Sequence, residues 1–292
     1  MQCRVGSVLP VSRLQHVPAP APFPLTGRTF TSRRMVRLGD VTPKGRLRLD
    51  ATARYLQDIA TDDAVDGNYD DPHGWVVRRT EMWVHSFPKY LDRLWLTTWC
   101  GGVGSHWAER RTRIEVEHDG ALSVATEAAA LWVRVDLQTL KPLALTEHFR
   151  GLIGEAAAGR KVSARLHVGR GLADATAAHS SSVMPLRFSD FDAVGHLNNA
   201  VYWEPLEEYL AVHRDRRAPL HAVLEHHASV EPHPATGHAA RPSGTSRVSA
   251  QNATCAQSSG ELTVFVHELG DRVVLRLVDR TTTAALIQLV ND

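Results

Sequence analysis

Ser189-Asp190-Phe191-Asp192-Ala193-Val194-Gly195-His196-Leu197-Asn198-Asn199-Ala200-Val201-Tyr202 is the stretch that decides the reading of this chain. It sets a carboxylate (Asp192), a glycine (Gly195), an imidazole (His196) and two carboxamides (Asn198, Asn199) within eight residues, just ahead of a helical pattern. That pattern runs from Asn199 to His213, with Val201, Leu206, Tyr209 and Leu210 on its apolar side. A helix start offers N–H groups without intrahelical partners and partial positive charge. An acid, a base candidate and oriented N–H donors in one place can activate water and hold a developing oxyanion.

The chain carries a worn copy of this run. Met35 to Leu47 aligns with Pro185 to Leu197: Arg37 meets Arg187, Asp40 meets Asp190, Gly45 meets Gly195 and Leu47 meets Leu197. The offset is constant, since 190 − 40 and 195 − 45 both give 150. A helix-like stretch follows each glycine, Leu49 to Ala64 in the first copy. The differences are chemical: Asp192 faces Thr42, His196 faces Arg46, and Asn198 and Asn199 face Arg48 and Leu49. Asp190, Asp192 and Asn198 are all residue types that cap helices and shape turns. Asp190 is kept in the copy as Asp40, which favours a structural role, whereas Asp192 and His196 are not kept, which favours function. One scaffold duplicated, with chemistry in its second half, is the expectation; an offset this long means fused domains rather than a solenoid.

Length and composition agree. The 292 residues suffice for two domains, and 43% apolar with 22% charged residues is a globular composition. A formal net charge of +1 argues against a general nucleic-acid binder. No apolar run is long enough to span a bilayer. Cys3, Cys100 and Cys255 are odd in number and form no CxxC, so no disulfide framework is expected and a reducing cytoplasm is the simplest setting. His221, His226, His227, His233 and His238 invite a metal reading, but adjacent histidines on a strand point to opposite faces and no HExxH is present; no metal and no cofactor are expected.

In order along the chain, residues 1–27 read as a disordered Pro-rich tail. Residues 28–149 read as a first domain: a strand near Arg28 to Leu38, a helix from Leu49, then strands at Trp75 to Phe87, Arg93 to Cys100, His106 to Glu117 and Leu122 to Asp136. Residues 150–179, rich in Ala, Gly and Arg with weak periodicity, read as a linker. Residues 180–292 repeat the order, with strands at Ser182 to Ser189, His221 to Val230, Leu262 to Glu268, Arg272 to Val278 and Thr282 to Val290, and one further strand expected to be poorly encoded within 232–260. One strand, one long helix and a run of antiparallel strands is an α+β pattern.

The repeat, this element order and the Asp-x-x-Gly-His-x-Asn-Asn run resemble the tandem hotdog-fold acyl-ACP thioesterases. Trp75-Val76-Val77-Arg78-Arg79, Phe87-Pro88-Lys89-Tyr90 and Thr97-Thr98-Trp99 are similar to that family's N-terminal domain. The resemblance implies two hotdog domains, each a long helix wrapped by an antiparallel sheet, the first with a degenerate site. It implies hydrolysis of fatty acyl thioesters, with acyl carrier protein as partner and monomer or homodimer as the assembly. Asp192 matches the acid that activates water or attacks the thioester, His196 the active-site imidazole and Asn198 the carboxamide that braces the loop. Two positions depart: the plant-type motif has Asn where this chain has Val194, and a later Glu or Cys is expected near Ser229 and Val230.

Gly195, Leu197, Asn199 and Tyr202 complete the expected substrate contacts, with backbone N–H groups of residues 195–197 polarising the thioester oxygen. Tyr55, Ile59, Met82, Trp83, Trp132 and Tyr202 are candidates to line an acyl tunnel, and Arg33-Arg34, Arg78-Arg79 and Arg110-Arg111 to form a basic rim for an acidic carrier. The alternatives are an acyl-CoA thioesterase, a hydratase of the same fold, whose Asp-x-Asn-Pro-x-His run this chain lacks, and a non-catalytic acyl-binding protein.

Overall fold

Ten antiparallel strands form one sheet, and two helices lie side by side against it. The computed structural model describes residues 20–69, 73–169, 172, 178–232 and 260–291. The first half contributes β1 (Thr29–Met35), α1 (Leu49–Asp66), β2 (Gly74–Val84), β3 (Arg93–Val103), β4 (Trp107–His118) and β5 (Ala121–Val135). A helix α2 (Glu147–Ala157) follows. The second half contributes β6 (Ser180–Pro185), α3 (Glu204–Val212), β7 (Leu220–His226), β8 (Glu261–Leu269), β9 (Arg272–Asp279) and β10 (Thr282–Asn291).

The sheet order is β1-β3-β4-β5-β2-β7-β10-β9-β8-β6. Read from its outer edge, the second half runs β6-β8-β9-β10-β7, the order of the first half strand for strand. The halves meet where β2 pairs with β7, from Arg79 opposite Glu225 to Val84 opposite Leu220. Turn chemistry sets the hairpins: Asp119 and Gly120 between β4 and β5 both have positive φ, as the sequence's Asp-Gly pair requires.

α1 forms because apolar residues recur on one side, and Leu49, Tyr55, Leu56 and Ile59 are buried. It ends at Gly67, whose N–H donates to the Asp63 carbonyl. Its apolar side and that of α3 share one core, in which Trp203 and Leu206 of the second half are fully buried. Burying a leucine stabilises by roughly 1.5–3 kcal/mol, and truncating one such as Leu206 to alanine costs about 2–5 kcal/mol. The helix expected from Asn199 begins as a tight 3-10 turn at Val201–Trp203 and becomes α-helical only at Glu204, with Pro205 in its first turn.

Two expectations change. The stretch 150–179 does not begin as linker: α2 covers Glu147–Ala157, capped by Thr146, whose hydroxyl accepts the Phe149 N–H at 3.1 Å. Ile153 and Ala157 of α2 pack with Cys100 and Ala108 of the sheet. Small residues weaken its periodicity, so its helical signal was faint. Beyond it, the Glu225 carboxylate ties down the crossing chain by accepting the His167 and Val168 N–H groups at 2.7 and 3.1 Å.

The tail is also shorter than expected among the described residues. Ala21 is buried, Phe23 packs on Trp99 with ring centroids 4.9 Å apart, and Gly27 lies so close to Ala156 that a Cβ would collide with its backbone. Residues 1–19 lie outside the described residues, as do 233–259, where a further strand was expected. The described residues of the second half form five strands.

Candidate active site

The loops ahead of α1 and α3 are folded alike. Thr42 donates its N–H to Arg46 and Gly45 to Thr42; Asp192 donates to His196 and Gly195 to Asp192, all at 2.8–2.9 Å. Gly45 and Gly195 hold φ of +78° and +87°, which a side chain would strain. No atom lies within 4 Å of where a Cβ on Gly195 would stand. The positive φ is by itself a reason for glycine at both places.

Asp190 is structural. Its buried carboxylate accepts the Arg187 N–H at 2.7 Å and the Arg187 Nε at 3.0 Å. Its carbonyl takes the Asn198 N–H, as that of Asp40 takes the Arg48 N–H. Asp192 differs: Oδ1 accepts the Val194 N–H at 2.9 Å and the His196 N–H at 3.4 Å. Its Oδ2 receives no protein donor among the described residues, which leaves that oxygen for water or substrate. Asn198 braces the loop, its Oδ1 taking the Ala200 N–H at 2.9 Å and Gln57 Nε2, from α1, at 3.1 Å. Val194 points outward and is 74% exposed.

The N–H groups of residues 195–197, expected to face a substrate, each have an acceptor within the protein. Gly195 donates to Asp192, His196 to the Asp192 carboxylate, and Leu197, whose side chain is in the core, to Val230 at 2.8 Å. Among the described residues the N–H of Asn199 has no acceptor, and Asn199 lines a cavity. The amide without an acceptor thus lies two residues beyond the expected stretch, whose N–H groups are taken by Asp192 and Val230.

Tyr202 is a core residue, with its ring edge-on to buried His226 at 5.0 Å, and it lines neither cavity described below. Burial, then the nearby Asp279 and Asp192 carboxylates, push its phenol far up, so it stays protonated. Burial, followed by Arg78 and His227, pushes His226 down to about 4.

Asn199 and Trp203 close one side of a narrow cavity of about 30 Å³ between α1 and the first-half sheet, lined also by Ala53, Leu56, Gln57, Thr80, Arg110 and Trp132. Arg110 and Trp132 are shared with a second cavity of about 750 Å³. The large cavity lies between the end of α1, the sheet and α2, with Tyr69, Trp75, Trp99, Trp132 and Phe149 as aromatic walls. Asp63 bridges two cations in its wall, Arg28 at 2.9 Å and Arg110 at 2.6 Å.

Of the expected tunnel residues only Trp132 lines these cavities. Tyr55 is in the core and donates its hydroxyl to Asp40 at 2.7 Å, Ile59 and Met82 are core, and Trp83 stacks on His221. Of the expected basic rim, Arg79 pairs with Glu81, Arg110 with Asp63 and Arg111 with Glu109 in partly or fully buried positions, while at the surface Arg34 pairs with Asp58 and Arg33 lies over the Trp95 ring. Sequence reasoning missed Gln57, Trp99, Cys100 and Phe149; of these only Gln57 had a usable signal, as the repeat partner of Glu207 (207 − 57 = 150).

In the first half the corresponding position is filled. Glu207 of α3 accepts the Leu49 N–H at 2.6 Å and is held by Arg46 through two bonds of 3.0 and 2.8 Å.

Comparison with known proteins accords with this duplicated architecture. Residues 27–153 match the acyl-ACP thioesterase N-terminal domain, and residues 173–253 match the C-terminal domain of the same family. The chain belongs to the acyl-ACP thioesterase family. Among relatives, an uncharacterised protein of Mycobacterium tuberculosis is 26% identical over 209 residues, spanning 71% of this chain and 80% of that one. A dodecanoyl-[acyl-carrier-protein] hydrolase of Cinnamomum camphora is 25% identical over 190 residues, 60% of this chain and 49% of the plant protein.

Two solved structures share the fold: an acyl-ACP thioesterase from Bacteroides thetaiotaomicron (TM-score 0.65, 18% identity, covering 90% of this chain and 97% of that one) and the 12:0-ACP thioesterase from Umbellularia californica (TM-score 0.64, 17% identity, 92% and 98%). This acyl-ACP thioesterase family member is accordingly a thioester hydrolase of the hotdog fold, and none of its described helices is long and apolar enough to cross a membrane.

Proposed function

We propose that the protein hydrolyses fatty acyl thioesters of acyl carrier protein in the cytoplasm and releases free fatty acid, with residues 180–292 supplying the chemistry and residues 28–149 the acyl cavity. The observation that carries the reading is the placement of Asn199: its N–H lacks an acceptor among the described residues, and it borders a narrow cavity that shares two walls with a large aromatic one. A thioester carbonyl at Asn199 directs its chain along Ala53 and Leu56 toward Trp132 and beyond.

In this reading Asp192 Oδ2 takes a proton from water as the water oxygen bonds to the thioester carbon. The resulting oxyanion is held by the Asn199 N–H; removing one such donor typically costs about 3–4 kcal/mol of barrier stabilisation. The carbon–sulfur bond then breaks, and the thiolate leaves with a proton returned through His196 or the Asp192 carboxyl group. Asn198 keeps the loop in place. The carrier-protein assignment draws support from the family and from the plant hydrolase named above.

The test is steady-state hydrolysis of dodecanoyl-ACP and dodecanoyl-CoA by the full chain. A clear preference for the carrier-protein substrate is expected; equal or better use of CoA would move the protein to the acyl-CoA reading, and saturable acyl binding without product would make it a binding protein.

A further inference from the structure

We infer that Gln57 is a positioning residue of the second-half site, and that its lack of charge is what keeps that site open. The inference rests on the reading of the site given above. Gln57 and Glu207 occupy equivalent places in the duplicated scaffold, on α1 and α3, and each reaches across to the loop that starts the other helix. Their chemistry then diverges. Glu207 places an anionic oxygen 2.6 Å from the Leu49 N–H, where Arg46 neutralises it. Leu49 is the counterpart of Asn199, and Arg46 of His196.

The first half therefore displays its own occupant, a carboxylate oxygen at the amide where the second half would hold an oxyanion. Gln57 does the opposite: it gives its N–H to Asn198 Oδ1 at 3.1 Å and leaves the Asn199 N–H without an acceptor among the described residues. A neutral carboxamide braces Asn198 without competing for the amide, whereas a carboxylate at this place is drawn to an amide N–H and to a cation beside it.

Substituting Gln57→Glu should convert the open site into a copy of the filled one. The ionisable residue that lines the narrow cavity with Gln57 is Arg110, across the cavity on β4 and held by Asp63; Asp192 and His196 lie in the loop that precedes Asn198, to which Gln57 is bonded. The cavity residues from β2 and β5 carry no ionisable side chain. Blocking the amide lowers kcat more than it raises KM, by roughly 100-fold or more at about pH 7.5, the scale of losing one oxyanion donor. Protonation of the new carboxyl group frees the amide again, so the ratio of Gln57→Glu to wild-type activity rises as pH falls toward the ordinary glutamate range of about 4.3. Gln57→Ala removes one brace without adding a competitor and loses about tenfold or less, with no change in the shape of the pH profile.

The experiment measures kcat and KM for dodecanoyl-ACP from about pH 5 to 9 for wild type, Q57E and Q57A, together with calorimetric binding of dodecanoate, whose carboxylate probes the same amide whether or not turnover occurs. A kcat-dominated, acid-relieved defect in Q57E with weakened dodecanoate binding supports the inference. A Q57E profile and dodecanoate affinity equal to wild type would overturn it. Asp192→Asn is run alongside: wild-type turnover in that variant would sink the catalytic assignment, while the dodecanoate comparison still decides the part played by Gln57.

Discussion

Arg46 grips Glu207 through two parallel N–H···O bonds of 3.0 and 2.8 Å across the seam between the halves, and the same carboxylate caps the first residue of α1. Glu207 is nearly buried, while Arg46 keeps about a quarter of its side chain in water. Removing Glu207 alone leaves a cation and a helix-start N–H without their partner. Glu207→Ala should destabilise the chain by about 2–3 kcal/mol, below the 3–5 kcal/mol of a fully buried pair because Arg46 remains partly solvated. Urea unfolding of the single and double alanine variants at Arg46 and Glu207 checks this, and a vanishing coupling energy would show that the pair is not an energetic link.

Asp192→Asn keeps the size of the side chain and its bond from the Val194 N–H but removes the base. We expect kcat for dodecanoyl-ACP to fall by roughly 100-fold or more. His196→Ala should lower it by a comparable factor. Circular dichroism and melting temperature should stay near wild type in both, since neither side chain is part of the buried core. Unchanged turnover in both would refute the site assignment.

His226 predicts an acid limb of stability. Buried against Tyr202, it titrates at about 4 in the folded chain and near 6.5 when unfolded. Between those values the unfolded chain holds the extra proton. The contribution of neutral His226 is therefore complete above about pH 6.5 and is lost progressively as pH falls toward 4, up to roughly 3 kcal/mol. Its Nε2 has no hydrogen-bond partner among the described residues, so His226→Leu forfeits no bond there. Urea midpoints measured across this pH range should decline less steeply in His226→Leu than in wild type.

The large cavity makes a prediction about chain length. Ala108 is a buried wall residue on β4, and Ala108→Phe fills space that an acyl tail would use. Each methylene shut out costs about 0.8 kcal/mol, so exclusion of two lowers kcat/KM for the longest substrates by roughly tenfold. Octanoyl turnover should hold. A uniform loss across chain lengths would place the acyl chain elsewhere.

Much of the fold was legible because its signals are local. Alternating Trp, Val, Thr and Ile marked the strands, Asp119-Gly120 marked a hairpin, and the offset of 150 residues revealed the duplication before any contact was known. α2 was not legible, since alanines and glycines give little periodicity and its apolar side is defined only by Cys100 and Ala108 beneath it. At the site, Asp192 and His196 stood out because the copy lacks them. That the Gly195 and Leu197 amides have acceptors within the protein, and that Tyr202 is buried against His226, was not legible, because a turn's hydrogen bonds and a side chain's burial depend on what else is nearby.

The sequence by itself determined the scaffold: the order of elements along each half, the paired glycine turns, and which copy retains an acid and an imidazole. These follow from dihedral preference, periodicity and residue chemistry, all properties of neighbours along the chain. Only the tertiary structure decided which amide lacks an acceptor among the described residues and where the cavities lie. Those depend on α1 and α3 packing side by side, which brings Gln57 to Asn198 and Glu207 to Leu49 from more than 140 residues away, and packing between distant segments leaves no periodic trace in either of them.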